Sequence, residues 1–211
     1  MTGLRLTVAL SLAFVAIVLG MFFYSVTRPK VLSDEQLRDI GVFVLPAPRE
    51  IAPFELTAHT GRPFTLDDLQ GHWSFIFFGF TNCPDICPTS MAVMAQAERQ
   101  LEAEAPETAR QFQGVLVTVD PERDDQETLA TYVQAFSSDF LGVRGDLPAT
   151  AAFATQVNAA FAMVPAQDGG YQVDHTANIV IVNPRGHYHG FVRTPHRVDT
   201  IVEAFRSLSQ R

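Results

Sequence analysis

A chain of 211 residues, 47% of them hydrophobic, is long enough for one well-cored domain and a short appendage, and short for two domains. Its 23 acidic side chains against 15 basic ones leave a net charge of −8, which disfavours the basic stripe of a nucleic-acid groove. No internal repeat, low-complexity tract or run of five or more like charges is present.

The first element, Leu6 to Val26, carries no charge. At about 1.5 Å per residue, a helix of that length covers the roughly 30 Å hydrocarbon core of a bilayer. A cleaved signal would have an apolar stretch of about 7–15 residues and a small-x-small cleavage site. This run is longer and closes on Phe22, Phe23 and Tyr24. Residues 1–28 are therefore expected to be an uncleaved membrane anchor. Arg5 and the amino terminus nearly balance Arg28 and Lys30, so the charge rule does not set its direction. Residues 29–50, with Pro29, Pro46 and Pro48 and little periodicity, read as a spacer before a domain over 51–211.

Phe54–Thr57 and Pro63–Leu66 flank Gly61 as a hairpin. The run Trp73–Phe80 is apolar throughout, as expected of a strand covered on both faces. Asp85 to about Glu104 is helical in pattern, with Met94, Ala97 and Leu101 on one face and Glu98, Arg99 and Glu102 on the other. Gly114–Val119 is a second buried strand, which completes a βαβ unit with parallel strands. Helices follow near 126–136 and 150–160. Ile179–Val182 and Tyr188–Val192 form an antiparallel pair across Asn183-Pro-Arg-Gly186, and an amphipathic helix over Val198–Leu208 closes the chain. The sum is an α/β domain, a mixed sheet flanked by helices.

Cys83 and Cys87 are the only cysteines, and they fall just beyond the first buried strand. Ligand groups gather at the carboxyl ends of parallel strands. Pro88 is expected at the first helical position, placing Cys87 at or beside the helix cap, where unpaired N–H groups would lower its thiol pKa. Three chemistries compete. A disulfide staple would close too small a loop to stabilise the fold much. A redox dithiol is possible, although the spacing is one residue longer than the usual Cys-x-x-Cys. A metal site with two thiolates selects soft ions, Cu(I) first, with an imidazole to complete a trigonal set; structural zinc would need four ligands.

His59, His72, His175, His187, His189 and His196 are the imidazole candidates. His175 stands in a segment just before the Ile179 strand, where a loop can fold over the thiols. His187 and His189 alternate on one hairpin face, which usually means a solvated surface. Met91 and Met94 offer thioethers but have core spacing. Asp120, past the second buried strand, reads either as a turn residue or as a carboxylate that orients a ligand or supports docking of a partner.

Gly79-Phe-Thr-Asn-Cys-Pro-Asp-Ile-Cys-Pro88, Val119-Asp-Pro-Glu-Arg-Asp124 and Tyr171-Gln-Val-Asp-His175, in that order, resemble the signature segments of the SCO/SenC family. These are membrane-anchored copper proteins of cytochrome c oxidase assembly. The resemblance spans about residues 50–210 and implies a thioredoxin-like fold with a peroxiredoxin-type insertion. It implies copper, as Cu(I) or Cu(II), on Cys83, Cys87 and His175. It further implies a donor chaperone, the copper-binding subunit of the oxidase as acceptor, and a bacterial inner-membrane anchor with the domain facing the periplasm. A thiol-disulfide reductase acting through Cys83 and Cys87, and a peroxide-reducing enzyme or sensor, are the alternatives on the same fold.

Overall fold

The computed structural model describes residues 2–27, 31–166 and 170–211. These divide into two units, Met1–Val31 and Leu32–Arg211. The first is helix α1 (Thr2–Thr27), whose Leu6–Phe23 window has a mean hydropathy of 2.6 and is not buried at all. Leu10, Phe14 and Phe22 are each more than 60% exposed. Apolar side chains on every side of a helix suit a lipid environment rather than a one-sided core contact. Among the described residues it is the one helix long and apolar enough to cross a membrane. Arg28 and Lys30, its expected basic flank, lie outside the described residues.

The second unit opens with α2 (Asp34–Asp39), capped reciprocally by Ser33 and Gln36, and continues into β1 (Val42–Glu50). The spacer reading of 29–50 is thus corrected from Asp34 onward. Its prolines point away from a strand only if that strand is central. Here β1 is the outermost strand, with a register irregularity between Val44 and Arg49 that accommodates Pro46 and Pro48.

β2 (Glu55–Ala58) and β3 (Pro63–Thr65) pair as the expected hairpin, and Gly61 turns it at a φ of 84°. β4 (Trp73–Gly79) is buried at every position. Helices α3 (Ile86–Glu104) and α4 (Pro106–Ala109) lead to β5 (Phe112–Thr118), which is parallel to β4 from Trp73↔Phe112 to Gly79↔Thr118. α5 (Gln126–Gln134) connects to β6 (Leu141–Arg144), again parallel. α6 (Leu147–Gln156) starts three residues earlier than its apolar pattern indicates, because Asp146 accepts from the Ala149 N–H as its cap.

β7 (Phe161–Pro165) and β8 (Tyr171–His175) form a separate two-stranded ribbon. β9 (Ile179–Val182) and β10 (His187–Val192) form the second expected hairpin, and α7 (Val198–Ser209) packs beside α3. The main sheet runs β1-β10-β9-β4-β5-β6-β2-β3. Phe75, Phe77, Phe78, Met91, Met94 and Phe205 are among the side chains of its core, each burial contributing about 1.5–3 kcal/mol. Glu98, expected on the solvent face of α3, is instead 7% exposed, and burial raises its carboxyl pKa.

Candidate metal centre

β4 ends on Gly79 and hands the chain to a loop that is pinned from the neighbouring strand. Asp124, fully buried after β5, accepts from the Thr81 N–H at 3.0 Å and from the Thr81 and Thr118 hydroxyls at 2.6 Å each. Charge-assisted bonds of this kind are the stronger ones, so the loop carrying Cys83 has a defined path.

α3 then begins at Ile86, with Asp85 as N-cap. The expected geometry is corrected here. Cys87 is the second helical residue and Pro88 the third. The first four helical N–H groups have no acceptor within the helix, so a proline that far in costs no hydrogen bond. The helix-end amide also serves a different sulfur: the Cys87 N–H donates to Cys83 Sγ at 3.4 Å. The thiol of Cys87 itself is not acidified. Burial, then its hydrogen bond with Cys83, pushes its pKa well above the ordinary thiol range. A Cβ at position 79 would meet Cys87 Sγ at 3.0 Å and the Phe77 ring at 2.8 Å, so the close approach of that sulfur to the strand end needs glycine.

His175 arrives from the other direction, as the last residue of β8 rather than on a loop. Its Nε2 lies 3.7 Å from Cys87 Sγ, and one donor atom from each of Cys83, Cys87 and His175 lies within 4.8 Å of the others. The Thr176 carbonyl, 3.3 Å from Nδ1, can only accept, which assigns the ring proton to Nδ1 and leaves the Nε2 lone pair toward the sulfurs. Burial lowers the His175 pKa and favours the neutral ligand form. The rings of Phe77 and Phe80 stand edge-on to the imidazole at 5.7 and 5.8 Å. Cys87 is fully buried, whereas Cys83 borders a cleft of about 520 Å³ shared with His175, Arg123 and Tyr171.

A trigonal soft ion with bonds of about 2.3 Å would hold its ligands roughly 4 Å apart, so the three donors need close by less than about 1 Å. Both thiols are free, and the pair can equally exchange electrons as a dithiol. No other group of three His, Cys, Asp or Glu side chains converges in this way among the described residues.

The remaining candidates have other work. His59 Nδ1 accepts from the Gly142 N–H at 3.1 Å, and His189 stands edge-on to Trp73 at 5.0 Å. His196 Nδ1 is 2.8 Å from the Ser90 hydroxyl, and His72 lines a cleft with Glu98 and Arg110. His187 belongs to no such cluster. Met91 and Met94 are fully buried core. Asp120 touches neither sulfur nor imidazole; its carboxylate accepts from the Tyr171 hydroxyl at 2.7 Å and pairs with Arg123. Gly79, Asp124, Arg123 and Tyr171 stand in the quoted segments but received no role from the sequence, although the last lies four residues before His175 on the same face of β8.

A mixed sheet with two thiols and an imidazole gathered at the ends of its parallel strands defines a thioredoxin-like domain with a dithiol–imidazole centre. Residues 45–210 match the SCO1/SenC family, and the chain belongs to that family. It is 35% identical over 175 residues to a Stutzerimonas stutzeri protein described as a candidate copper-binding protein, covering 82% of this chain and 84% of that one. Against the human mitochondrial SCO2 homolog it is 39% identical over 163 residues, covering 74% of this chain and 60% of the human protein. The chain thus spans about 60% of the length of that relative. The structure of Bradyrhizobium japonicum ScoI with copper bound superposes with a TM-score of 0.65 at 30% identity, covering 74% of this chain and 98% of that one.

Proposed function

We propose that this chain is a copper metallochaperone of cytochrome c oxidase assembly, holding one copper ion through Cys83, Cys87 and His175. The observation that carries the reading is the convergence of three soft or borderline donors, from two separate elements, to within 4.8 Å. The copper-bound B. japonicum structure and the S. stutzeri relative support it. Two thiolates suit Cu(I), and the nitrogen ligand makes Cu(II) accessible. Three-coordination leaves one face open, and the cleft beside Cys83 gives an acceptor ligand a way to it. In this reading copper comes from a donor chaperone and passes to the dinuclear centre of the oxidase's copper-binding subunit. Residues 1–28 anchor the protein in the bacterial inner membrane, and the domain, which opens at α2 and β1 rather than at residue 51, works on the periplasmic side.

Copper titration of the reduced full-length protein in detergent tests the ligand set. One ion per chain is expected, and His175→Ala should weaken binding by more than the roughly 10–100-fold that loss of a mere supporting partner costs. A His175→Ala protein with parental affinity and spectra ends this reading.

The two free, adjacent thiols favour one second reading, a thiol-disulfide reductase that keeps the acceptor's copper-site cysteines reduced. The imidazole separates the two. Reduction of a model disulfide should survive His175→Ala and vanish in Cys83→Ser if the dithiol role holds, and copper binding at parental affinity should need all three residues.

A further inference from the structure

The β7–β8 ribbon that delivers His175 is not part of the main sheet, and an isolated two-stranded ribbon is marginal by itself. Its backbone bonds run within the ribbon, as do the Thr176–Ala160 contacts at its end. A side-chain tie leads instead from the start of β8 to the connection after β5. The Tyr171 hydroxyl donates to Asp120 Oδ1 at 2.7 Å, and Arg123 Nε donates to Oδ2. The Arg123 guanidinium lies 4.3 Å from the Tyr171 ring centre and 5.8 Å from that of Phe80, whose edge meets His175. Asp120 is fully buried, so its carboxyl oxygens rely on these two partners for hydrogen bonds.

Residues 171, 173 and 175 share the inward face of β8. Fixing the first of them therefore fixes the direction in which the third projects. Granting the reading of His175 as a copper ligand, we propose that Tyr171 and Arg123 are positioning residues for its imidazole: Asp120 holds the Tyr171 hydroxyl, the Arg123 guanidinium covers the Tyr171 ring and reaches that of Phe80, and together they aim Nε2 at the sulfurs. Neither touches the ion. The tie acts on His175 through side chains of Asp120 and Arg123, whereas the loop of the cysteine pair is held by the Asp124 carboxylate of the same turn.

The test is a double-mutant cycle on the full-length protein in detergent, with Cu(I) affinity read by competition with a chromophoric chelator. Tyr171→Phe removes one hydroxyl and keeps the ring under Arg123; it should weaken Cu(I) binding about 10-fold. In a His175→Ala background the same change should have no further effect, because its route to copper is gone. Arg123→Ala should behave like Tyr171→Phe, and Arg123→Lys should recover only part, since an ammonium restores charge beside Asp120 without a planar group to cover the ring. Without copper, amide exchange at Gln172 and Asp174, whose N–H groups face β7 in the ribbon's register, should quicken in Tyr171→Phe while that of β4 stays unchanged. Parental affinity in Tyr171→Phe alongside an impaired His175→Ala overturns the proposal, as does a loss that persists in the His175→Ala background. If His175→Ala itself binds normally, the ligand assignment has failed, and unchanged amide exchange in Tyr171→Phe then removes the positioning role as well.

Discussion

Cys87 and His175 lie 3.7 Å apart but come from regions held in different ways. The cysteine arm grows from β4, buried at every residue, and from α3, which packs Met91, Met94 and Leu101 into the core. The histidine arm is a ribbon in which only Val173 is buried on β8, while Val164 and Pro165 of β7 are exposed. Apolar burial and contact with the main sheet set local stability, so the two arms should open with different free energies. Two of the three site side chains are held by the core, and the third rides on a ribbon with little buried surface of its own. For the copper carrier proposed above, such an asymmetry would favour release of the ion.

The largest test of that contrast removes a donor from each arm. Cys83→Ser and Cys87→Ser should abolish stoichiometric copper retention on a desalting column, while His175→Ala should retain some metal by the two thiolates alone. Equal loss in all three would erase the distinction. Next comes stability. Gly79→Ala drives a methyl into the Phe77 ring and Cys87 Sγ, and should cost about 1–3 kcal/mol by overpacking, read from chemical denaturation. Asp124→Asn weakens three bonds that define the Cys83 loop and should cost about 1–3 kcal/mol. On the other arm Val164→Ser, at a position 47% exposed, should stay within about 0.5 kcal/mol.

The same contrast explains what could be read from the sequence. β4, β5, α3 and the β9–β10 hairpin announce themselves because buried strands are continuously apolar and the Asn183–Gly186 turn has its own chemistry. The cysteine arm was legible for that reason. β8 was not: Tyr-Gln-Val-Asp-His alternates for only five residues, too few to tell a ribbon from a loop. β1 was hidden by prolines that only an edge strand tolerates. The acidity expected of Cys87 failed on a point of register. With the helix starting at Ile86, its free amide points to Cys83 and Cys87 is carried into the core. Asp120 was visible as a carboxylate near the site, but its partner Tyr171 lies 51 residues on, a pairing that only the fold creates.

The smallest expected effect is in the pH dependence of the copper-free protein, where imidazoles and thiol act in opposite ranges. Burial lowers the pKa of His175 and takes those of His189 and His196 down to about 4 from 6.5. Between pH 6.5 and 4 the unfolded chain binds protons that the folded one refuses, so stability is full above 6.5 and falls as the solution is acidified. Cys87 adds nothing in that range, because its thiol is protonated in both states. Its pKa is raised, so its contribution is complete below the ordinary thiol value of 9.0 and is lost as pH rises beyond it, where only the unfolded chain ionises freely. Thermal denaturation of the full-length protein should therefore give a plateau between these limits. His196→Gln should flatten the acid limb and Cys87→Ala the alkaline one; an acid limb untouched by His196→Gln would mean that this imidazole is not withheld from protons by the fold.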